Sequence, residues 1–342
     1  MTKFLNGKKS INMQPILSVI VPTYNMESYL QKNLESYIRE GTNGFLEILI
    51  MDNSSTDGSA AIADSYAERF PTLFNVIHKK NHGYGSSVNL GIKIARGRYL
   101  RIVDADDWVS SDALHMLIKK LQNCSCDLVE TDYTIVNVKT GETEILSVRP
   151  DDVELDTPYI DLQAAKKIFP TMQSTTFRTD FLRKNNIELL ENTFYVDEQL
   201  MILSYLHAQS ILYTDIDVYR YRIGNAEQSV STVNMGRRYR DREKVIVSYL
   251  KEYLKEERAG TIFNPCPERI SQHIGNHFTT LYMYVLPRKE GRRLAKQWAN
   301  YIKKTVPELY KANRYKRRIL WFLNLLHVSV DKFIWLKKIR RD

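Results

Sequence analysis

The chain has 342 residues, 43% hydrophobic and 26% charged, the composition of a globular protein with a sizeable core, which excludes a disordered or low-complexity chain. Its net charge of +9 is concentrated at one end: residues 311–342 carry ten Lys/Arg and two Asp, leaving about +1 for all the rest, so the basic stripe of a nucleic-acid binder is missing from the main body. The three cysteines, Cys124, Cys126 and Cys266, lack paired spacing, which excludes a disulfide framework or a zinc site and fits a reducing compartment.

Residues 1–14 are polar and expected to be disordered. The first apolar run, residues 16–21 (ILSVIV), is too short for a signal peptide and reads as a strand ending at Pro22. A helix is expected over 27–40, with Leu30, Leu34, Tyr37 and Ile38 at helical spacing. A strand over 45–51 (FLEILIM) stops at Asp52, and a helix over 57–70 precedes Pro71. A third strand spans 73–78, a helix 86–96 closed by Gly97, and a fourth strand 98–103. A helix over 111–122 is capped by Ser110 or Ser111, and another strand covers 126–136. Beyond about 140 the alternation breaks. A hairpin is expected around Lys139–Gly141, mostly helix over 159–210, a strand over 210–222, and charged, aromatic-rich helix from Arg237 onward. No run approaches the roughly 20 apolar residues of a membrane-spanning helix.

Strands alternating with helices at this interval predict a parallel sheet covered on both faces, with ligands bound off the carboxyl ends of the strands. Three polar clusters follow strands directly: PTYN (22–25), DNSSTDGS (52–59) and DADD (104–107). Asp52 can accept a hydrogen bond from a donor such as the imide N–H of uracil. The residues after it cap a helix as readily as they bind a ligand. The loop 79–92 leads into a helix whose first N–H groups favour an anion, with Lys79, Lys80 and His82 adding positive charge. Asp104 and Asp106, two apart on an extended segment, can share a target. Oxygen ligands select a hard cation, Mg²⁺ or Mn²⁺, held by carboxylates together with substrate phosphates. The alternative is an N-cap and two solvated acids ahead of the helix at 111.

In this order and spacing, LSVIVPTYN, DNSSTDGS and NHGYGSSVNLGIKIARGRYLRIVDADDW resemble the family 2 inverting glycosyltransferases of the GT-A fold. The resemblance is close over about 16–135 and looser to about 230. It implies an α/β GT-A domain with a mainly parallel sheet and a helical C-terminal extension. Residues 15–135 would form the nucleotide-sugar half, 136–235 the acceptor half, and 236–342 a helical, basic region. Pro22, Thr23, Tyr24 and Asn25 would border the base, Asp52 would bind uracil, and Asn81, Gly83 and Gly85 would lie along the nucleotide. Asp104, Ala105 and Asp106 would be the DXD motif, with Asp104 nearer the ribose and Asp106 on the metal, Mn²⁺ or Mg²⁺. Asp107 would assist or hold the turn. The general base would be Asp197, with Glu198 the alternative, since Val196 stands where the family has Glu. Arg220, Arg222 or the Gln228–Ser229 region would face the diphosphate or acceptor.

The expected activity is inverting, metal-assisted transfer of a sugar from a nucleotide-diphosphate sugar, a UDP-sugar, to a saccharide or lipid-linked acceptor in surface polysaccharide biosynthesis. Residues 314–342 bracket Trp321, Phe322 and further apolar residues with basic clusters. This suits a helix lying in an anionic membrane interface, on the inner face of the cell membrane, as well as a helix packed on the catalytic domain. A sugar-phosphate nucleotidyltransferase would instead place a Gly-rich, basic loop after the first strand, where PTYNMESY stands. A non-catalytic glycan-binding protein on the same fold would be expected to lose the DXD acids, and both are present.

Overall fold

The computed structural model describes residues 14–42, 44–150, 153–159, 170–224, 232–260 and 266–333. The expected disordered N-terminus, apart from Gln14, lies outside these residues, as do Gln228–Ser229 and the tail beyond Phe333. The chain begins with β1 (Leu17–Thr23), α1 (Glu27–Glu35), β2 (Leu46–Asp52), α2 (Ser59–Arg69), β3 (Phe74–His78), α3 (Gly83–Ile94) and β4 (Tyr99–Ile102). Then come β5 (Trp108–Val109), α4 (Ser111–Gln122), β6 (Leu128–Asn137), β7 (Thr143–Leu146), β8 (Pro158–Tyr159) and β9 (Thr175–Arg178). They are followed by α5 (Thr179–Lys184), α6 (Val196–His207), β10 (Ile211–Ile223), α7 (Thr232–Arg237), α8 (Tyr239–Ala259) and α9 (Cys266–Thr279). A π-helical turn (Thr280–Tyr284) leads to α10 (Arg288–Thr305), α11 (Pro307–Ala312) and α12 (Arg314–Leu325).

Among the described residues the ten strands form one sheet of order β3-β2-β1-β4-β9-β6-β10-β5, with β7 beside β6 and β8 beside β10. The strands β1, β2, β3 and β4 pair in parallel, so the residues that follow β1, β2 and β4 emerge on one edge. The chain runs outward from β1 through β2 to β3 and returns on the other side at β4. The gap between β1 and β4 is therefore the topological switch point where α/β sheets bind ligands.

Both faces are covered: β1, β2 and β4 are buried at every position and carry apolar side chains toward either face. Alternation divides their side chains between two cores. Val19, Val21, Ile48 and Ile50 pack with α1, α2 and α4, whereas Ile20, Leu49, Met51 and Ile102 pack with α3, α5 and α6. That second core continues without a break through α8, α9 and α10 to Phe333, so the C-terminal helices share it with the sheet.

The sheet is more mixed than expected. Within the stretch read as mostly helix lies β9, which enters antiparallel between β4 and β6; β6 and β10 are parallel to each other. Four residues, three of them Thr or Phe, give too short a period to announce a strand; its place is set by the gap between β4 and β6. Trp108–Val109 pairs antiparallel with the end of β10, another two-residue strand with no local signal. The hairpin at 139–141 is present, with Gly141 at φ +76°. Helix α1 stops at Glu35, short of Tyr37, which is buried, and Ile38, which is partly buried against the same core. Helix α3 starts three residues early, at Gly83, because the Asn81 side chain accepts from the Gly83 N–H at 2.9 Å. Ser110 caps α4 by accepting from Ala113 N. No helix among the described residues is long and apolar enough to cross a membrane.

Candidate active site

The switch-point cleft is built by loops that hold one another. At the end of β1, Pro22 and Thr23 are buried, while Tyr24 is 46% exposed, an open ring beside the cleft. Asn25 turns the chain in the left-handed region (φ +54°), where Asn is tolerated. Its Oδ1 accepts from Thr56 N at 2.8 Å, and its N–H donates to Ser55 Oγ at 3.1 Å, so the first two clusters are stitched together. Asp57 accepts from Glu27 N and Ser59 N, which makes this part of DNSSTDGS a loop clasp.

Asp52 is buried at the end of β2. Its Oδ1 accepts from Ser55 N at 3.0 Å, and its Oδ2 lies 2.9 Å from His78 Nδ1. Burial works to raise its pKa, but the Ser55 and His78 hydrogen bonds outweigh burial and hold it below the usual carboxylate range. His78, at the end of β3, also meets Asp64 at 3.0 Å, and these two bonds push its own pKa up. Sequence reasoning missed His78; its position at the third parallel strand end was the available signal. Each Asp52 oxygen keeps a lone pair for a further donor.

The loop after β3 departs from expectation. Lys79, expected to offer charge to an anion, donates to Asn53 Oδ1 after β2 (2.7 Å), Ser86 Oγ of α3 (2.7 Å) and Lys80 O (3.0 Å), so its three protons are engaged by the protein itself. Gly83 and Gly85 are where α3 closes on the segment ahead of α6. A Cβ on Gly83, at φ +81°, would lie 2.9 Å from Asn192 N, and one on Gly85 would lie 2.3 Å from the Leu190 carbonyl oxygen. Asn89 exchanges two hydrogen bonds with Leu189, and Asn192 N donates to His82 O. Gly85→Ala is expected to cost about 1–3 kcal/mol of stability, because a backbone carbonyl has to shift. A chemical-denaturation midpoint equal to wild type would refute this.

The DADD turn rests on residues distant in sequence. Asn33 of α1 donates through Nδ2 to the carbonyls of Asp104 (3.1 Å) and Asp107 (2.9 Å). The Tyr219 hydroxyl donates to Asp107 Oδ2 at 2.6 Å and accepts from Asp104 N at 3.2 Å. Arg222 donates its N–H to Asp107 Oδ1 (2.7 Å) and its Nε–H to the Asp106 carbonyl (2.7 Å). Asp107 is thus a buried post between the turn and β10. Ala105 is buried in the core, while Asp104 and Asp106 are part-exposed. Tyr84 donates to Asp104 Oδ1 at 2.6 Å and fixes that carboxylate. Burial pushes Asp104, Asp106 and Asp107 above the usual carboxylate range, and Asp106's charge pushes Asp104 further. Two crowded, partly open carboxylates are a donor set that fits a hard divalent cation, since the cation offsets the cost of desolvating their charge and the repulsion Asp104 meets from Asp106. Arg222 stacks over Trp108 (5.1 Å) and Tyr29 (4.9 Å), and Lys32 sits 3.4 Å over Trp108, which gives the cleft a cationic rim. Arg220 instead pairs with Asp217 at 2.7 Å.

Asp197 and Glu198 open α6 after Tyr195, itself in the left-handed region (φ +68°). Asp197 belongs to the cleft: its charge reaches both Asp104 and Tyr84 and raises their pKa values. Although solvent reaches its side chain, the surrounding protein, with Glu198's charge second, pushes Asp197 up to about 6. Glu198 turns the other way. It pairs with Arg242 of α8, and His273 Nδ1 of α9 lies 3.5 Å from it. Burial works against its charge, yet His273 and Arg242 more than offset burial and hold it low. Burial also keeps His273 itself down, at about 4, so Arg242 carries the pairing.

Fold and cleft together define an α/β protein of the GT-A kind, with strand-end loops gathered at a switch point beside paired aspartates. Residues 18–187 match the sequence model of Glycosyl transferase family 2, and the chain belongs to that family. Similar curated proteins include two from Bacillus subtilis (strain 168). The putative glycosyltransferase EpsH is 29% identical over 218 residues, 61% of this chain and 61% of EpsH. The uncharacterized glycosyltransferase EpsJ is 38% identical over 117 residues, 34% of this chain and 33% of EpsJ. The matched stretches thus span less than two thirds of either relative. Among solved structures, S. aureus TarS 1–349 in complex with UDP-GlcNAc superposes with a TM-score of 0.60, covering 90% of both chains at 21% identity, a likeness of fold.

Proposed function

We propose that the chain is an inverting glycosyltransferase that moves a sugar from a UDP-sugar to a saccharide or lipid-linked acceptor in the building of a surface polysaccharide. The observation that carries the reading is that the segment leading into α6 closes on α3, with Asn192 N donating to His82 O at 2.8 Å, which brings the charge of Asp197 to bear on Tyr84 and Asp104. An acceptor-side carboxylate thereby faces the carboxylates expected at the diphosphate. Residues 15–135 serve the donor and 136–235 the acceptor. The UDP-GlcNAc complex of TarS supports a uridine nucleotide as donor.

In this reading Tyr24 covers the base, Pro22, Thr23 and Asn25 shape its pocket, and Asp52 accepts from the uracil N–H. Asn81, Gly83 and Gly85 shape the wall along the nucleotide. Asp106 and Asp104 would hold a divalent cation, Mn²⁺ or Mg²⁺, which when bound would supply positive charge to the diphosphate leaving group. Arg222 lends positive charge from the rim. Asp197 takes the proton from the acceptor hydroxyl as its oxygen bonds to the anomeric carbon and the bond to the nucleoside diphosphate breaks on the opposite face. Arg242 keeps Glu198 out of this role. The basic C-terminal region places the enzyme on the inner face of the membrane, within reach of a lipid-linked acceptor.

Incubation with a panel of nucleotide sugars and Mn²⁺ is expected to release UDP from one of them when acceptor is supplied. Pyrophosphate release from a nucleoside triphosphate and a sugar phosphate would overturn the reading in favour of nucleotidyl transfer. Failure of every nucleotide sugar to bind would point to a non-catalytic member.

A further inference from the structure

The positive charge of the C-terminal region is not confined to the tail. Helix α10 presents Lys289, Arg292 and Lys296 across two adjoining hollows, of about 400 and 540 Å³, from Arg314, Arg317 and Arg318 of α12. No acidic side chain lines either hollow. None of the ion pairs among the described residues involves Lys289, Lys296, Arg314 or Arg318, although Lys311 and Arg293 nearby are paired with Glu308 and Glu290. Arg317 is pinned at the floor, stacked 3.4 Å over Tyr310 and bonded to its carbonyl. Arg292 is held by Asn324 Oδ1 at 2.5 Å. Cations gathered around a concavity repel one another, and an anion seated there would relieve the repulsion.

A soluble anion would need only these cations. Here the hollows adjoin an apolar ridge on α12 and the residue after it, where Trp321, Phe322, Leu325 and Leu326 are 48%, 54%, 46% and 58% exposed. Trp321 lines both hollows, so the cationic seat and the ridge are continuous. Exposed Trp, Phe and Leu beside a basic concavity match a surface that meets headgroup phosphates and the acyl boundary together. We propose that the hollows between α10 and α12 seat the headgroup phosphates of an anionic lipid bilayer while the α12 ridge enters the interface. This rests on the membrane reading above, narrows it to the folded part of that region, α12, and adds α10 as the other wall of the seat. Helix α12 packs on α9, and α9 on α6, whose first turn carries Asp197, so the seat fixes the cleft relative to the bilayer.

The test is co-sedimentation of the full chain, at physiological salt, with vesicles of equal parts phosphatidylglycerol and phosphatidylcholine, and with phosphatidylcholine alone. Wild type is expected to bind only the anionic vesicles. Lys296→Gln/Arg314→Gln/Arg318→Gln should bind roughly hundredfold more weakly. Trp321→Ser/Phe322→Ser should also lose binding, and both variants should keep the wild-type melt, since these side chains are exposed. A Lys337→Gln/Lys338→Gln/Arg340→Gln/Arg341→Gln variant should retain most of it. If wild type binds but the triple variant binds equally well, the seat is refuted and the membrane reading stands. If wild type binds no vesicle, both fall; retention on soluble polyphosphate that the triple variant loses would then assign the hollows to a soluble polyanion instead.

Discussion

Asp106→Asn is expected to lower metal-dependent turnover by roughly a hundred- to a thousandfold, the effect of losing several kcal/mol of charge stabilisation at the leaving group. The fold should survive, because the turn is held by Asn33, Tyr219 and Asp107 and not by the Asp106 carboxylate. The measurement is UDP release against Mn²⁺ concentration, with a thermal melt beside it. Wild-type turnover and metal dependence in the variant would remove Asp106 from the metal site. Asp107→Asn separates the two acids. Its carboxylate joins Tyr219 to the Arg222 backbone in a buried setting, so the larger effect should fall on stability, about 1–3 kcal/mol. If Asp107→Asn stops turnover with an unchanged melt, Asp107 is not a structural post but part of the reacting site.

Asp197→Asn should reduce transfer about 10²- to 10⁴-fold with donor binding unchanged, the range for losing a positioned general base. A base acts in its ionised form, so activity should be lost as the pH falls through the Asp197 pKa. That value is raised to about 6, by the surrounding protein first and by Glu198 second. The acid limb of the rate profile should therefore lie near pH 6, well above the roughly 3.9 of an unperturbed aspartate. Glu198→Gln removes a neighbouring negative charge, so it should move that limb to lower pH. It also leaves Arg242 buried without its partner, which should lower stability by about 3–5 kcal/mol. An acid limb unmoved by Glu198→Gln, or full transfer by Asp197→Asn, would require a different base.

The first half of the molecule was legible because its signals are local. Each of the first four strands is a short, largely apolar run, and the first helix shows its period in Leu30 and Leu34. Parallel pairing then carries PTYN, DNSSTDGS and DADD to one edge, whatever the rest of the chain does. The second half was less legible. Its strands β5, β8 and β9 are two to four residues long and take their places from gaps left by other strands. The supports of the DADD turn were hidden for the same reason: Tyr219 and Arg222 lie more than 110 positions from the aspartates they hold, and reach them because the end of β10 pairs with β5.

By itself, then, the sequence determined the alternating architecture and the shared edge of the three polar clusters, on which Asp104 and Asp106 lie, since strand period and parallel pairing are properties of short stretches. Only the tertiary structure decided which neighbour does what. It turned Glu198 toward Arg242 and left Asp197 in the cleft, made Asp107 a post, and tied Lys79 to Asn53 of the neighbouring strand-end loop. Adjacent residues on a chain share a composition but not an environment. Burial, charge and hydrogen-bond partners are supplied by elements that meet only when the chain has folded.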